Sequence, residues 1–343
     1  MNKPADLNLA TVPVWINGKA VVPEGRMGEV YNPATGQLTR RVPFCNEEVI
    51  DKAVKAAVDA ILNHPLVNAV SFVGSTPIAK YIYETGARNG KRVQALGGAK
   101  NHAVVLPDAD LEFTADALIG AAYGSAGERC MAISAVVAVG SAADSLVKLL
   151  EQKARKIVVG PGDRDGVEMG PLVTAQHRDK VASFIEKGKA EGAKLVLDGS
   201  TPPLKEGFFL GATLFDHVKP GMEIYKNEIF GPVLIVLRAR TLEEAISIVN
   251  ANPYGNGTAI FTGSGGAARR FEDEVQVGMV GINVAIPVPV AFYSFGGWKN
   301  SLFGDLHVHG MEGVRFYTRT KAITTRWPNQ ETPAPGLNMP TLG

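Results

Sequence analysis

Short apolar runs that alternate with longer amphipathic segments constrain the fold of this chain more than any other feature of its sequence. Residues 68–75, "NAVSFVGS", form a strand-like run that passes into a turn, and a helix-like segment follows at 76–87. The pattern recurs at 134–140, "SAVVAVG", which precedes the helix-like residues 142–157. Strands that alternate with helices are typical of proteins with a parallel sheet. The sequence therefore predicts an α/β fold.

The length and charge of the chain limit its organisation and its partners. With 343 residues, the chain is long enough for two domains. Lysine and arginine number 35 against 34 aspartates and glutamates, which gives no electrostatic reason to expect nucleic acid or an anionic membrane as a partner. No apolar run reaches the length of about 18 residues that a membrane span needs. We expect neither nucleic acid nor a membrane among its partners.

The cysteines and the N-terminal residues indicate the compartment. Cys45 and Cys130 are far apart and have no metal-ligand spacing. The N-terminal residues contain neither an apolar signal core nor an arginine-rich amphipathic pattern. We therefore expect a cytoplasmic protein with free thiols and no metal site.

Cys130 lies in the segment "GSAGERCMAIS", residues 124–134, directly after Arg129. A neighbouring cation lowers the pKa of a thiol and makes it a better nucleophile. The Arg129 guanidinium also has the donor geometry that binds a substrate carboxylate. Alternatively, Cys130 is a small buried hydrophobe and Arg129 a surface charge. These two residues alone leave both interpretations open.

Two further segments carry groups suited to a nucleotide. Gly74, Ser75 and Thr76 lie between a predicted strand and a predicted helix, where free backbone N–H groups can bind a phosphate. Glu228 and Phe230, in "KNEIFGPVLIV", offer a carboxylate for ribose hydroxyls and a ring that can stack on a flat heterocycle. Taken singly, a plain turn, a turn glutamate and a core phenylalanine explain them equally well.

In combination, these segments resemble the aldehyde dehydrogenase superfamily. Its motifs occur here in the family's order, with roughly the family's intervals, from residue 31 to the end of the chain. The matching segments are "YNPATG", "SFVGST", "ALGGAKNHAVV", "GERC", "MGPLV", "NEIFGPV", "INVAI" and "SFGGWKNS". Within the superfamily, "RVQALGGAKNH" and "AGERCMAIS" are most similar to the CoA-acylating methylmalonate-semialdehyde dehydrogenases.

The resemblance implies a mechanism and a role for each matched residue. Cys130 would attack the aldehyde, hydride would pass to NAD, and a thioester would remain on the enzyme. The backbone N–H of Cys130 would form half of the oxyanion hole. Arg129 would bind the carboxylate of a malonate or methylmalonate semialdehyde. The positions matched to the family's cofactor site are Gly74, Ser75, Leu96, Glu228 and Phe230.

Ala95 bears on the fate of the thioester. Most hydrolytic members of the superfamily have a glutamate in an "ELGG" motif, where it activates water, but this chain reads "ALGG". Alanine cannot act as a base. The substitution favours transfer of the acyl group to CoA, the predicted co-substrate, over release of a free acid. A hydrolytic member that had lost its activity would show the same alanine.

Compared with the family, the chain lacks an internal block near residues 57–58. Residues 46–65 form one amphipathic pattern, which on this comparison joins two helices that are normally far apart in sequence. The absent block would hold the asparagine that completes the oxyanion hole, a ribose-binding lysine and a second substrate-binding arginine. We therefore expect weak or absent dehydrogenase activity, because losing one oxyanion donor costs about 10²–10³ in turnover.

The resemblance also predicts the division of the chain. The expected parts are a truncated Rossmann-like NAD-binding domain at 1–97, a parallel-sheet catalytic domain at 98–312, an oligomerisation strand at 313–327 and a flexible tail at 328–343. The family forms homo-oligomers, but part of that interface would fall in the missing block. Besides the CoA-acylating enzyme, two alternatives stay open. These are a non-catalytic remnant that assembles with other subunits, and a general NAD-dependent aldehyde dehydrogenase.

Overall fold

The computed structural model of the chain describes residues 10–16, 19–44, 55–325 and 327. The helices are α1 (Ala60–Asn63), α2 (Thr76–Arg88), α3 (Leu111–Tyr123), α4 (Ala142–Ala154), α5 (Ala175–Ala190), α6 (Glu223–Lys226), α7 (Leu242–Ala251), α8 (Gly265–Glu274) and α9 (Gly310–Tyr317). The strands are β1 (Val14–Ile16), β2 (Lys19–Val21), β3 (Met27–Tyr31), β4 (Leu38–Pro43), β5 (Ala69–Val73), β6 (Arg92–Leu96), β7 (Asn101–Val105), β8 (Ile133–Val139), β9 (Lys194–Leu197), β10 (Thr213–Asp216), β11 (Val233–Ala239), β12 (Tyr254–Gly255), β13 (Gly257–Phe261), β14 (Met279–Ile282), β15 (Trp298–Lys299) and β16 (Leu302–Phe303).

A seven-stranded sheet in the order β14-β13-β7-β8-β11-β10-β9 forms the main part of the fold. Its strands are parallel except β9, which pairs antiparallel with β10 at one edge. All five residues of β7 and of β13 are buried, as expected for strands covered on both faces. The predicted parallel-sheet α/β fold is therefore confirmed, with one antiparallel edge strand.

Two apolar clusters cover the two faces of this sheet. One includes Val181, Ile185 and Phe271 from helices α5 and α8, and the other includes Leu118 and Leu146 from α3 and α4. All five side chains are fully buried. The sheet is thus a central layer between helices, which is the arrangement that buries both of its faces.

A smaller sheet lies beside the main one, in the order β16-β6-β5. Strands β5 and β6 are parallel, and β16 returns from late in the chain to pair antiparallel with β6. Ala79 and Ile82 of α2 pack with Leu62 of α1 against Val93 and Ala95 of β6. Strand β6 ends and β7 begins on either side of the predicted domain boundary at residue 97/98, although β16 comes from beyond that boundary.

The helix around the predicted join is irregular. Residues 46–54 of the predicted helix at 46–65 lie outside the described residues. Lys55–Asp59 form a single π-helical turn that continues directly into α1. A π-helical turn holds one residue more per turn than the α-helix that follows it. The change of pitch occurs where the sequence places the join.

The segment 313–327 differs in part from the predicted strand. Residues 313–317 belong to α9. Phe316 of this helix is buried, and Arg92 of β6 binds the backbone carbonyls at its end. Residues 318–325 have no partner strand among the described residues, so a strand there stays a prediction. The predicted tail at 328–343 lies outside the described residues. In the part of the chain that is described, no helix has the length and apolar character of a membrane span.

Candidate active site

The site is built at the amino ends of the parallel strands of the main sheet. Cys130 lies shortly before β8, and Glu228 and Phe230 lie shortly before β11. Asn101 begins β7, and Asn256 immediately precedes β13. Because parallel neighbours start at the same edge, these groups meet although they are far apart in sequence.

Cys130 lies where two cavities meet. The smaller contains Arg129, Glu228 and Phe230 besides Cys130. The larger, of about 440 Å³, is lined by Leu96, Gly97, Asn256, Phe295, His309 and Tyr317 together with Cys130. The cysteine itself is exposed. Its thiol is therefore accessible to small molecules, which excludes the alternative of an inert buried cysteine.

The backbone of Cys130 is held by two asparagine side chains. Asn101 Nδ2 donates to the Cys130 carbonyl oxygen at 2.9 Å, and Asn256 Nδ2 donates to the same oxygen at 3.1 Å. Asn101 also binds Ala132 O and accepts from the Gly257 N–H. Both asparagines are buried, so these bonds fix the cysteine loop against β7 and β13.

Arg129 turns back towards the end of α3. Its Nη2 donates to Gly120 O at 2.6 Å and to Ala121 O at 3.1 Å. These carbonyls belong to the last turn of that helix, where acceptors lack partners within the helix. The Arg129 Nε atom is buried without a hydrogen-bond partner. Arg129 thus anchors the cysteine loop to α3 and keeps one donor free beside the smaller cavity.

Glu228 lies beside the glycines of the "ALGG" segment. A Cβ placed on Gly98 would come within 2.7 Å of Glu228 Oε2 and 3.0 Å of Thr76 Oγ1. The Gly98 N–H donates to that Thr76 hydroxyl at 2.9 Å. The lack of a side chain at Gly98 therefore lets the start of α2 approach the Glu228 carboxylate.

The turn before α2 is linked to Leu96. The Gly74 N–H donates to Leu96 O at 3.0 Å, and Ser75 occupies the cap position of α2 in an extended conformation. The two positions predicted near a pyrophosphate therefore lie next to Leu96 and, through Thr76, next to Glu228. Their backbone donors are at the start of a helix, where anions are favoured.

Phe230 adopts a left-handed backbone conformation, with φ of 59°. His177 Nε2 donates to its carbonyl oxygen at 2.7 Å and lies 3.3 Å from Glu128 Oε1. A non-glycine residue in this region needs support from its surroundings. His177 provides that support, and the Phe230 ring stays 38% exposed beside Cys130.

The environment of the Cys130 thiol raises its pKa. Partial burial has the largest effect, and the negative charge of Glu228 acts in the same direction. The backbone N–H groups of Cys130 and Met131 oppose this increase because they favour the charged form of the thiol. Arg129 does not lower the pKa of the thiol as its position in sequence indicated, since its guanidinium is directed to α3.

Burial also shifts the pKa values of Glu228 and of the nearby Lys100. The pKa of the Glu228 carboxyl is raised by burial, while the Ala99 N–H, Lys100 and Lys180 favour its charged form. The pKa of Lys100 falls to about 7 because the side chain is fully enclosed. Lys100 Nζ donates to Ile224 O and Asn227 O. It thereby holds the loop that presents Glu228.

The structure brings the sequence-predicted residues into one region, but sequence reasoning missed several of their neighbours. Asn256, His177 and Glu128 had no assigned role in the site, and Thr76 was considered only with Gly74 and Ser75 as part of a phosphate-binding turn. Asn101 was quoted as part of the "ALGGAKNHAVV" motif, but no role was assigned to it. A signal existed for Thr76, which follows the predicted turn directly. None existed for Asn256, since it is 126 residues from Cys130.

The sequence was compared with known families and curated proteins. A sequence model of the aldehyde dehydrogenase family matches residues 58–323. The chain is 60% identical over 280 residues to a malonate-semialdehyde dehydrogenase of Pseudomonas aeruginosa, which covers 80% of this chain and 56% of that protein. It is 52% identical over 276 residues to malonate-semialdehyde dehydrogenase 2 of Shouchella clausii, covering 80% of this chain and 57% of that protein.

Solved structures give the same result. A crystal structure of methylmalonate-semialdehyde dehydrogenase from Oceanimonas doudoroffii is 54% identical with a TM-score of 0.78, covering 85% of this chain and 59% of that one. A putative methylmalonate-semialdehyde dehydrogenase from Sinorhizobium meliloti, complexed with NAD, is 52% identical with a TM-score of 0.79, covering 86% and 60%. The chain thus spans less than two thirds of the length of these relatives.

Proposed function

This chain belongs to the aldehyde dehydrogenase family, and on that premise we propose that it oxidises a carboxylated semialdehyde to an acyl-CoA through a thioester on Cys130. The substrate is malonate or methylmalonate semialdehyde, NAD accepts the hydride and CoA accepts the acyl group. The observation that carries the proposal is the exposed Cys130 thiol in one cavity with Arg129, Glu228 and Phe230.

The residues around the cavity fit a nicotinamide dinucleotide. Glu228 offers a carboxylate acceptor for ribose hydroxyls, and the exposed Phe230 ring offers a flat apolar face. Gly74 and Ser75 lie at a helix start, where anions are favoured, and the missing side chain at Gly98 lets Thr76 approach Glu228. NAD bound there would supply the hydride acceptor for the oxidation.

Cys130 performs the covalent part of the reaction. Its thiolate adds to the aldehyde carbon, a carbon–sulfur bond forms, and the carbonyl oxygen becomes negatively charged. The Cys130 backbone N–H supports that oxygen. Loss of hydride from the same carbon restores the carbonyl group and leaves a thioester on Cys130. The substrate carboxylate leaves as CO₂, and a proton from water takes its place on the neighbouring carbon. Attack of the CoA thiolate on the thioester then gives propionyl-CoA or acetyl-CoA and releases the Cys130 sulfur.

Arg129 determines the preference for a substrate with a carboxylate. Its buried Nε has no partner within the protein, and a buried donor without an acceptor costs free energy. A rotation of the guanidinium would present this donor to a substrate carboxylate beside Cys130. The names of the relatives agree with this assignment, since malonate and methylmalonate semialdehydes each carry a carboxylate.

Ala95 supports transfer to CoA over hydrolysis. This residue is completely buried in β6, between Phe72 of β5 and Phe303 of β16. Its methyl group can neither activate water nor exchange protons. The thioester is therefore attacked slowly by water and persists until a thiol arrives. The larger cavity, which also reaches Cys130, gives that thiol a path.

The comparison of this chain with its relatives supports low turnover. The family match begins at residue 58, and the chain spans 56% of the Pseudomonas aeruginosa relative. We infer that the asparagine completing the oxyanion hole lies in the absent portion. One missing oxyanion donor lowers turnover by about 10²–10³. The expected homo-oligomer would likewise lack part of its interface.

The deciding experiment measures NADH formed from methylmalonate semialdehyde, with and without CoA, by protein shown to be folded by circular dichroism. We expect slow, CoA-dependent NADH formation that Cys130→Ala abolishes. Arg129→Leu should raise KM for the carboxylated substrate more than for propanal, because only the former has a carboxylate to bind. Turnover equal to that of an intact relative would contradict the impaired oxyanion hole, and CoA-independent turnover would favour a general aldehyde dehydrogenase.

One observation favours a second candidate, a non-catalytic partner of other subunits. Among the described residues, strand β5 pairs only with β6, and Val73 at its end is 68% exposed, so this edge is open to another chain. NAD-dependent thermal stabilisation separates the two candidates. A folded protein that NAD does not stabilise and that forms no NADH would support the non-catalytic partner.

A further inference from the structure

Two amide side chains that sequence reasoning did not assign contact the backbone of the candidate nucleophile. Asn101 and Asn256 both donate to the carbonyl oxygen of Cys130, at 2.9 and 3.1 Å. They come from different strands, since Asn101 begins β7 and Asn256 precedes β13. They also border different cavities, Asn101 the smaller and Asn256 the larger.

A peptide plane joins this carbonyl to the next backbone N–H. The carbonyl of Cys130 and the N–H of Met131 belong to one rigid, planar unit. When two donors hold the oxygen, the direction of the N–H is therefore fixed as well. The Met131 N–H favours the charged form of the neighbouring Cys130 thiol. Donation to the oxygen also polarises the unit and strengthens the donor on its other side.

Within the described part of the chain, the hydrogen bonds that the Asn256 side chain makes are confined to the cysteine loop. Its Nδ2 contacts the Met131 sulfur at 3.0 Å as well as the Cys130 carbonyl, so both contacts lie on the cysteine loop. The side chain is only 7% exposed, and a buried amide is favourable only when it is hydrogen-bonded. Asn101, by contrast, also connects Ala132 and Gly257. Asn256 is thus the cleaner residue to vary.

We propose that Asn256, with Asn101, is a positioning residue that fixes the orientation of the 130–131 peptide beside the Cys130 sulfur and thereby sets the reactivity of the thiol. The importance of this thiol rests on the proposed function, but the positioning is testable without turnover. Glu228, Arg129, His309 and Tyr317 are the charged or titratable groups that share a cavity with the thiol. All of them are retained in the variants below.

The experiment measures the rate at which iodoacetamide alkylates Cys130 between pH 6 and pH 10, followed by mass spectrometry of the peptide that contains it. Asn256→Leu keeps the branched shape but removes the amide. We expect the midpoint of its pH profile to rise by about 0.5–1 pH unit and alkylation at pH 7 to slow by about three- to tenfold, as for the loss of one hydrogen bond that favours the thiolate. Asn256→Ser, too short to reach the carbonyl, should shift the midpoint in the same direction.

Asn250→Leu is the matched control. Asn250 also donates to a backbone carbonyl, that of Glu274, and accepts from a backbone N–H, that of Gln276, away from Cys130. Its loss should leave the profile unchanged even if stability falls. An unshifted midpoint in a folded Asn256→Leu or Asn256→Ser protein would overturn the proposal. A shifted midpoint in a protein that forms no NADH would support the positioning and refute the proposed function.

Discussion

At Cys130, burial, a carboxylate and two backbone N–H groups together set the pKa of the thiol. Burial and Glu228 raise the pKa of the thiol, while two backbone N–H groups lower it. The neighbouring Arg129 contributes its charge to the end of α3 instead. The reactivity of the thiol therefore depends on a balance that includes a carboxylate assigned to another task, the binding of the cofactor ribose.

Glu228→Gln tests this balance at the residue scale. Because the negative charge of Glu228 raises the pKa of Cys130, its removal should lower that pKa and increase the thiolate fraction near neutral pH. We expect iodoacetamide to alkylate Cys130 about two- to fivefold faster at pH 7.5, while NAD-dependent thermal stabilisation decreases. Glu223→Gln, on the exposed side of α6, is the control and should alter neither. Slower alkylation of Glu228→Gln would contradict the electrostatic assignment.

The sequence indicates which residues belong to a candidate site, and their roles stay predictions, but it does not indicate how each side chain is directed. Cys130, Arg129, Glu228 and Phe230 were recognisable because their motifs occur in a family order. The direction of Arg129 was not, since it depends on the Gly120 and Ala121 carbonyls in the last turn of α3, which only the folded chain brings within reach. Asn256 was not predictable either, because its contact with Cys130 arises only from strand pairing between distant segments.

At the scale of elements, the buried strands and amphipathic helices were predictable, and the polar or exposed ones were not. Strand β8 is apolar except for Ser134 and is followed by Gly140, and its segment was identified. Helix α5 was missed because its apolar stripe is short among many charged residues. Strand β9 was missed because it is short and partly exposed. Neither pattern differs clearly from that of a surface loop.

Arg92 links two elements that the sequence separates. Its Nη1 donates to Arg315 O at 2.8 Å and to Phe316 O at 2.7 Å, so β6 terminates α9. Arg92→Met keeps most of the apolar stem but leaves these carbonyls to water. We expect the free energy of unfolding to fall by about 1 kcal/mol, measured by urea denaturation. Arg164→Met, in an exposed turn, should cost much less, and equal losses would show that Arg92 has no special role.

For the whole molecule, the sheet order is the feature that the sequence could not supply. Strand β7 lies between β13 and β8. The pairing of β7 with β13 joins residues that are 156 positions apart in sequence. The predicted two-part division follows family knowledge, whereas β16 crosses it to complete the smaller sheet. Alternating strands and helices predict the fold class but leave the spatial order of the strands undetermined.

The open edge of β5 leads to a prediction about association. Val73→Lys places a charge at the exposed end of that strand, where lysine discourages edge-to-edge pairing. We expect the apparent mass at high protein concentration, measured by static light scattering, to decrease relative to the unmodified chain. Val158→Lys is the control, since Val158 is also exposed, at 50%, but lies outside this edge. An equal decrease in both variants would indicate a general effect of net charge.

The two cavities that meet at Cys130 bear on how reactants would reach it in the proposed reaction. Each reaches the sulfur through its own set of side chains, and Cys130 belongs to both. In that reaction, an acyl acceptor that enters through the larger cavity would reach the sulfur without passing Glu228 and Phe230. The proposed entry route of the thiol is therefore separate from these two groups.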